Sequence, residues 1–312
     1  MTDLPALIVP ILLLIGTGFV AARVGIASRE HIEGLAVFVL NFALPALVLN
    51  ALSRQDIRQT FNWNYVAAYG AGSLMAFFAA LLVLRIALGK PLTCAAIGGL
   101  GGATSNTGFI GFPVASLALG APALTALPLT MLVENILIIP LALALAEAGS
   151  QGGTSWRSAV AQTAGRLSRM PLIIAIALGA ALSFLGLSLP GPVTSAVDMI
   201  AAASAPCALF AVGGIIAGIK AGGLTGDIAW IALAKLVLHP LAVAGFFLLI
   251  GGVPPELAAT GILLAAVPMI TVYPIFGERF GLGEKSAATL IVTTLAGLAT
   301  ITVVLGLLIG QR

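Results

Sequence analysis

Residues 95–113 read Ala95-Ala-Ile-Gly-Gly-Leu-Gly-Gly-Ala-Thr-Ser-Asn-Thr-Gly-Phe-Ile-Gly-Phe-Pro113. They lie within an apolar block, 92–119, long enough to cross a bilayer core. Yet the stretch holds six glycines, a proline and four consecutive polar side chains, Thr104, Ser105, Asn106 and Thr107. Glycine and proline both weaken a helix. Unpaired backbone groups are costly in hydrocarbon, so such a break persists only inside protein or beside a wet cavity. The stretch therefore predicts a spanning helix broken near the membrane centre. Close helix packing could explain the glycines alone, but it does not require the four polar residues beside them.

The rest of the chain supports the membrane reading. Of 312 residues 8% are charged and 60% hydrophobic, and the mean hydropathy is +1.15. A soluble protein carries about 25% charged residues. Ten apolar blocks can be marked, at 5–22, 33–51, 63–88, 92–119, 122–146, 170–187, 193–217, 228–250, 256–276 and 286–309. A membrane barrel would instead show alternating segments of about ten residues. The net charge of +3 comes from scattered basic residues, which argues against nucleic-acid binding. Cys94 and Cys207 lie in apolar stretches and read as small core residues. The N-terminal block lacks a basic flank before it and reads as the first span rather than a signal peptide.

Lysine and arginine alternate between loops. One side holds Arg23, Arg29, Arg85, Lys90, Arg157, Arg166, Arg169, Lys220, Arg279 and Lys285; the other holds Arg54, Arg58 and Arg312. The richer side is expected to be cytoplasmic. This gives a multi-pass protein of the cytoplasmic (inner) membrane with both termini outside.

A shift of 161 residues relates Pro10 to Pro171, Pro45 to Pro206 and Pro113 to Pro274, and likewise Gly18 to Gly179, Gly25 to Gly186 and Gly120 to Gly281. The sequence thus predicts an all-α integral membrane fold of ten helices in two five-helix repeats. The first is 1–147, a cytoplasmic linker covers 148–168, and the second is 169–312. Five is odd, so the second copy is inverted, an architecture frequent among secondary transporters. The repeat mate of block four is block nine, which carries Pro268 and Pro274 around Met269-Ile-Thr-Val-Tyr273. Gly108, Gly111, Pro113, Pro268 and Pro274 are the expected helix-break or crossover residues. Paired breaks in inverted halves point to a substrate site near the midplane. A broken helix exposes N–H groups at a positive dipole end, which suits an anion without any basic side chain. Unwound carbonyls could also hold Na⁺.

Several stretches together resemble the auxin efflux carrier family. They are Ile8-Val-Pro-Ile-Leu-Leu-Leu-Ile-Gly-Thr-Gly18, Asn41-Phe-Ala-Leu-Pro-Ala-Leu47, Ser105-Asn-Thr-Gly-Phe-Ile-Gly-Phe-Pro113, Glu134-Asn135 and Ala266-Val-Pro-Met-Ile-Thr-Val-Tyr-Pro274. The resemblance covers essentially the whole chain. It implies a fold like that of bile-acid–sodium symporters, with spans four and nine broken and crossing. A scaffold of spans one, two, six and seven would stand apart from a transport core that shifts elevator-like against it. It also implies a carrier of malonate or similar organic anions, with the substrate carboxylate near Asn106 and Asn135. Many bacterial members carry an Asn in the ninth-span break. Here Val272 stands there, flanked by Thr271 and Tyr273, a departure that bears on the substrate rather than the fold. The expected substrate contacts are Thr104, Ser105, Asn106, Thr107, Asn135, Thr271 and Tyr273.

Four ionisable residues fall in or near the spans. Glu134, mid-block, is a candidate proton relay, because intramembrane carboxylates are costly and by default functional. The other reading is a hydrogen-bonded Glu that ties spans together. Lys235 and His239 share a helical face. Lys235 is expected to snorkel to the inner end; His239 has a packing role or a part in ion coupling. Asp198 is placed near the outer interface. No cofactor and no metal are expected. The partners implied are a small carboxylate, membrane lipid, H⁺ or Na⁺ as coupling ion, and a second copy of the chain in a homodimer.

An intramembrane enzyme and a channel are the rival classes. No H-E-x-x-H, G-x-S-x-G or G-K-[ST] occurs, so zinc proteolysis, serine hydrolysis and ATP-driven pumping lack their motifs. A filter or charge ring would mark a channel, whereas paired breaks favour alternating access.

Overall fold

The computed structural model describes residues 4–54, 61–150, 169, 171–218 and 225–310. Nearly all of the expected linker 148–168 lies outside them. The described residues are helical, without strands. We number the helices α1 (Leu4–Arg23), α2 (Arg29–Ser53), α3 (Trp63–Ala87), α4 (Leu92–Ala103), α5 (Phe112–Leu119), α6 (Pro122–Gly149), α7 (Pro171–Leu185), α8 (Gly191–Gly218), α9 (Gly226–Ile250), α10 (Pro255–Ala266), α11 (Tyr273–Glu278) and α12 (Gly283–Gly310). Six of them, α2, α3, α6, α8, α9 and α12, contain apolar spans of 25–28 residues. The apolar stretches Val9–Arg23, Pro171–Leu185 and Pro255–Ala266 are shorter. This is a multi-pass membrane protein.

Prolines shape the long helices. Proline lacks an N–H and crowds the carbonyl four residues back. In three helices the residue just before a proline bonds five residues back instead of four. Leu44 donates to Val39 before Pro45, Ile139 to Glu134 before Pro140, and His239 to Ala234 before Pro240. Each helix takes up one extra residue as a π turn (Val39–Ala43, Glu134–Ile138, Ala234–Leu238) and continues. A fourth π turn, Thr107–Gly111, precedes Pro113. Such turns are frequent at functional sites.

The chain forms two compact units, each drawn from both halves of the sequence. The first comprises Met1–Asn62, Gly108–Leu129 and Arg166–Gly218; the second comprises Trp63–Thr107, Thr130–Gly165 and Ile219–Arg312. In the first unit α1 packs on α8 and α7 on α2. In lipid the drive for such contacts is close packing rather than water exclusion. At Gly18 a Cβ would overlap the Phe210 carbonyl; at Gly179 it would meet Leu52 and the Leu49 carbonyl. Asp198 lies on α8, where Arg54 (2.6 Å) and Asn50 (2.5 Å) donate to it.

In the second unit α3 packs on α9, α4 on both α3 and α6, α10 on α9, and α11 on α12. Two interruptions mark it. Helix α4 stops at Ala103 and helical turns resume at Thr107, leaving 104–106 outside helix, with Thr104 extended. Helix α10 stops at Ala266 and α11 starts at Tyr273. The blocks 92–119 and 256–276 are thus interrupted over several residues, as expected, whereas the turn at Ala203 within α8 is a single residue. Gly108 and Gly111 lie in the π turn after the first interruption, Pro113 and Pro274 at the second residues of α5 and α11, and Pro268 inside the second interruption.

Candidate functional site

The polar chemistry is concentrated in the second unit. Among the described residues, every buried polar or charged side chain except Ser204 belongs to it. The two interruptions meet there. The Asn106 backbone N–H donates to the Pro268 carbonyl at 2.7 Å, and Asn106 Nδ2 donates to Thr271 Oγ1 at 2.5 Å. Neither backbone group could be left unpaired in hydrocarbon, so each break supplies what the other lacks.

Around this meeting point the four polar residues part company. Thr104 turns back on its own helix, with both its N–H and its hydroxyl donating to the Leu100 carbonyl. The Ser105 N–H donates to Glu134 Oε1 at 2.9 Å, and the Thr107 hydroxyl donates to Glu134 Oε2 at 2.9 Å. Glu134 is only 2% exposed. The Tyr69 hydroxyl lies 3.5 Å from the same carboxylate. Tyr69 stacks on Tyr65, whose hydroxyl shares a 2.7 Å hydrogen bond with Thr130. Asn135 is brought to the same π turn, but its amide donates to the Met131 carbonyl on its own helix.

Lys235 does not snorkel. It is fully buried, and its ammonium donates to Ser105 Oγ (2.8 Å), the Ala265 carbonyl (2.7 Å) and His239 Nδ1 (2.9 Å). An ammonium has three protons to give, and three acceptors converge on it. One of them is a carbonyl of the last turn of α10, the negative end of that helix. With Nδ1 accepting, His239 carries its proton on Nε2 and donates it to Ser73 Oγ at 2.9 Å. Its ring stands edge-on to Tyr69. A continuous buried chain therefore runs Ser73–His239–Lys235–Ser105–Glu134–Thr107.

Tyr273 goes elsewhere. Its ring lies against Gly101, and it lines a cleft with Asp227, Lys285 and Ser286. There Asp227 pairs with Lys90 (3.5 Å) and with Lys285. A neighbouring cavity of about 440 Å³ is lined by Thr93, Cys94, Glu147 and Arg279, and Glu147 pairs with Arg279. Of the expected contacts, Ser105, Asn106, Thr107 and Thr271 come together. Thr104 and Tyr273 point away. Sequence reasoning missed the central role of Lys235 and the parts played by Tyr69 and Ser73. The available signal for Lys235 was Pro240, which places the residue in a π turn as Pro140 places Glu134.

Residues 6–305 match a family described as "Membrane transport protein". The chain is 31% identical over 306 residues to a protein of Rhizobium meliloti named "Putative malonate transporter", covering 97% of this chain and 95% of that one. It is 24% identical over 279 residues to the "Uncharacterized transporter YfdV" of Escherichia coli K12, covering 83% and 86%. These likenesses point to transport rather than catalysis, and the chain belongs to the membrane transport protein family, the family of the auxin efflux carriers.

Proposed function

We propose that the protein is a secondary carrier that moves small organic anions, malonate among them, across the cytoplasmic membrane by alternating access, driven by an H⁺ or Na⁺ gradient. The observation that carries this is the meeting of two helix breaks, bonded to each other through Asn106, Pro268 and Thr271 within one compact unit. A site contained in one unit can change its exposure without being dismantled, which suits alternating access. The malonate named for the Rhizobium relative makes a three-carbon dicarboxylate the first substrate to test. In this reading Asn106, Thr271 and the donors at Ser105 and Thr107 contact the substrate carboxylate, with Asn135 beside them.

The duplicated architecture belongs to the same proposal. Gly25 and Gly186 both take positive φ (81° and 65°), as do Gly120 and Gly281 (71° and 73°), and each pair is related by the 161-residue shift. Gly18 approaches Phe210 while Gly179 approaches Leu49, the counterpart of Phe210 under that shift. Matching positive-φ glycine turns and matching contacts support two copies of one five-helix unit.

The test is counterflow. Proteoliposomes preloaded with unlabelled malonate should accelerate uptake of labelled malonate, and uptake should saturate. Non-saturable flux that ignores preloading would make the protein a channel, and conversion of malonate to product would make it an enzyme.

A further inference from the structure

A broken helix presents its first N–H groups to an anion. At the first break a protein carboxylate already takes that place. Glu134 accepts from the Ser105 N–H through one oxygen and from the Thr107 hydroxyl through the other, both at 2.9 Å. Behind Ser105, the Lys235 ammonium donates to the same residue's hydroxyl at 2.8 Å. The carboxylate and the ammonium balance each other across one serine, and the cluster is neutral.

A second carboxylate that entered the same donors would face Glu134 at close range in a dry interior. Two carboxylates that share a site do not both stay charged. We propose that Glu134 is the resident anion of the first helix break, and that an incoming organic anion takes over its donors at Ser105 and Thr107 as Glu134 takes up one proton. This deepens the carrier reading and rests on it. The proton comes from the aqueous side to which the site is open and ends on a Glu134 oxygen. The empty cluster is Glu134⁻ with Lys235⁺. The loaded cluster is carboxylate⁻ with neutral Glu134 and Lys235⁺. Charge at the Ser105 and Thr107 donors is conserved, so the one carboxylate that takes them over brings one proton with it; the second carboxylate of a dicarboxylate lies outside these donors and brings none.

The titratable groups that face Glu134 are Tyr69 and Tyr65 from α3, Lys235 from α9 and, one hydrogen bond further, His239. The remaining titratable groups of α4, α6, α9, α10 and α12 stand at the ends of their helices. Among them, Asp227 is held by Lys285 and by Lys90 ahead of α4, and Glu147 by Arg279 just after α11. His239 is engaged on both ring nitrogens, which leaves Glu134 as the group able to gain a proton without breaking the chain behind it.

The experiment is calorimetric titration of the purified protein with malonate above its second ionisation, in buffers of different ionisation heat. The expected result is one proton taken up per malonate, with a Kd that rises about tenfold per pH unit by linkage. Glu134→Gln should bind malonate with no proton uptake and no pH dependence. Malonate binding to the wild type without proton uptake overturns the proposal, and so does full uptake in Glu134→Gln. The wild-type proton count does not depend on whether the variant folds. Infrared spectra of the unliganded protein near neutral pH should show a carboxylate band that Glu134→Gln lacks. A protonated Glu134 in its place overturns the proposal without any substrate. No malonate heat in either protein would instead sink malonate as the substrate, leaving the infrared result to judge Glu134.

Discussion

The two helix breaks occupy matching blocks of the sequence, yet they are built from opposite chemistry. The first, at 104–106, is polar and works as a donor: the Ser105 N–H reaches Glu134 and the Asn106 N–H reaches Pro268. The second, at 267–272, is mostly apolar and works as an acceptor. The Pro268 carbonyl takes the Asn106 N–H, and the Ala265 carbonyl just ahead takes a proton of Lys235. A donor break needs an acceptor brought to it, here a carboxylate and a neighbouring carbonyl. An acceptor break needs only donors from outside, so proline, which has no N–H to satisfy, fits there at no cost. The difference explains why one break reads as conspicuous in sequence and the other as a pair of prolines among apolar residues.

The strongest way to break this comparison is to remove the charge that joins the two sides. Lys235→Met strips the donor from Ala265 and Ser105 and leaves Glu134 as a buried charge without its balance. Breaking one partner of a buried charged pair costs about 3–5 kcal/mol. The expected outcome is a large fall in Tm in detergent, with most of it recovered in the double variant Lys235→Met/Glu134→Gln. A double variant no more stable than the single one would show that Lys235 acts through its acceptors alone and not through Glu134.

The second break should depend on packing more than on polar partners. A Cβ at Gly297 would come within 2.5 Å of the Pro268 ring. Gly297→Ala is expected to cost about 1–3 kcal/mol by overpacking. Gly245, where a Cβ meets nothing within 4 Å, serves as the control. Gly245→Ala should leave Tm level or raise it slightly, since alanine favours helix. Equal effects at the two glycines would remove the packing account of the second break.

What could be read from the sequence follows the same division. The first break was legible because Thr104, Ser105, Asn106 and Thr107 are out of place in a span, and the second followed from Pro268 and Pro274 through the 161-residue shift. Glu134 stood out as a lone carboxylate. The position of Lys235 was not legible by counting turns from the helix end, which suggested a side chain long enough to reach the interface. The π turn before Pro240 and the carbonyl end of α10 give the ammonium three acceptors inside instead. Those acceptors come from three separated segments, and no local pattern brings them together. The same limit applies to Tyr273. Its place two residues after Thr271 suggested the crossing, but the first turn of α11 rotates its ring toward Gly101 and the Asp227 cluster.

Asn106 joins both breaks, so its side chain sharpens the comparison. Asn106→Ala keeps the backbone bond to Pro268 and loses the Nδ2 bond to Thr271. A single neutral hydrogen bond is worth about 1 kcal/mol, so the fold should hold with a small fall in Tm. Malonate affinity should weaken about tenfold in the carrier reading, because the donor faces the crossing. Thr271→Val removes the acceptor and should weaken binding less, since the Asn106 amide itself is retained. Uptake kinetics equal to the wild type in Asn106→Ala would sink the site assignment.

The smallest expected effect lies one turn away. Thr104 is the polar residue of the first break that gives both of its protons to Leu100, four residues back on its own helix. A hydroxyl bonded to the i−4 carbonyl neither reaches across the break nor supplies a donor to it. Thr104→Val keeps the shape, removes the 2.7 Å bond and leaves the backbone N–H to end the helix. Because the carbonyl retains that N–H partner, the loss should stay near about 0.5–1 kcal/mol. Malonate uptake should match the wild type in both KM and maximal rate. If affinity falls while Tm holds, the hydroxyl must leave Leu100 during transport. The donor surface of the first break would then begin one residue earlier than the resting structure places it.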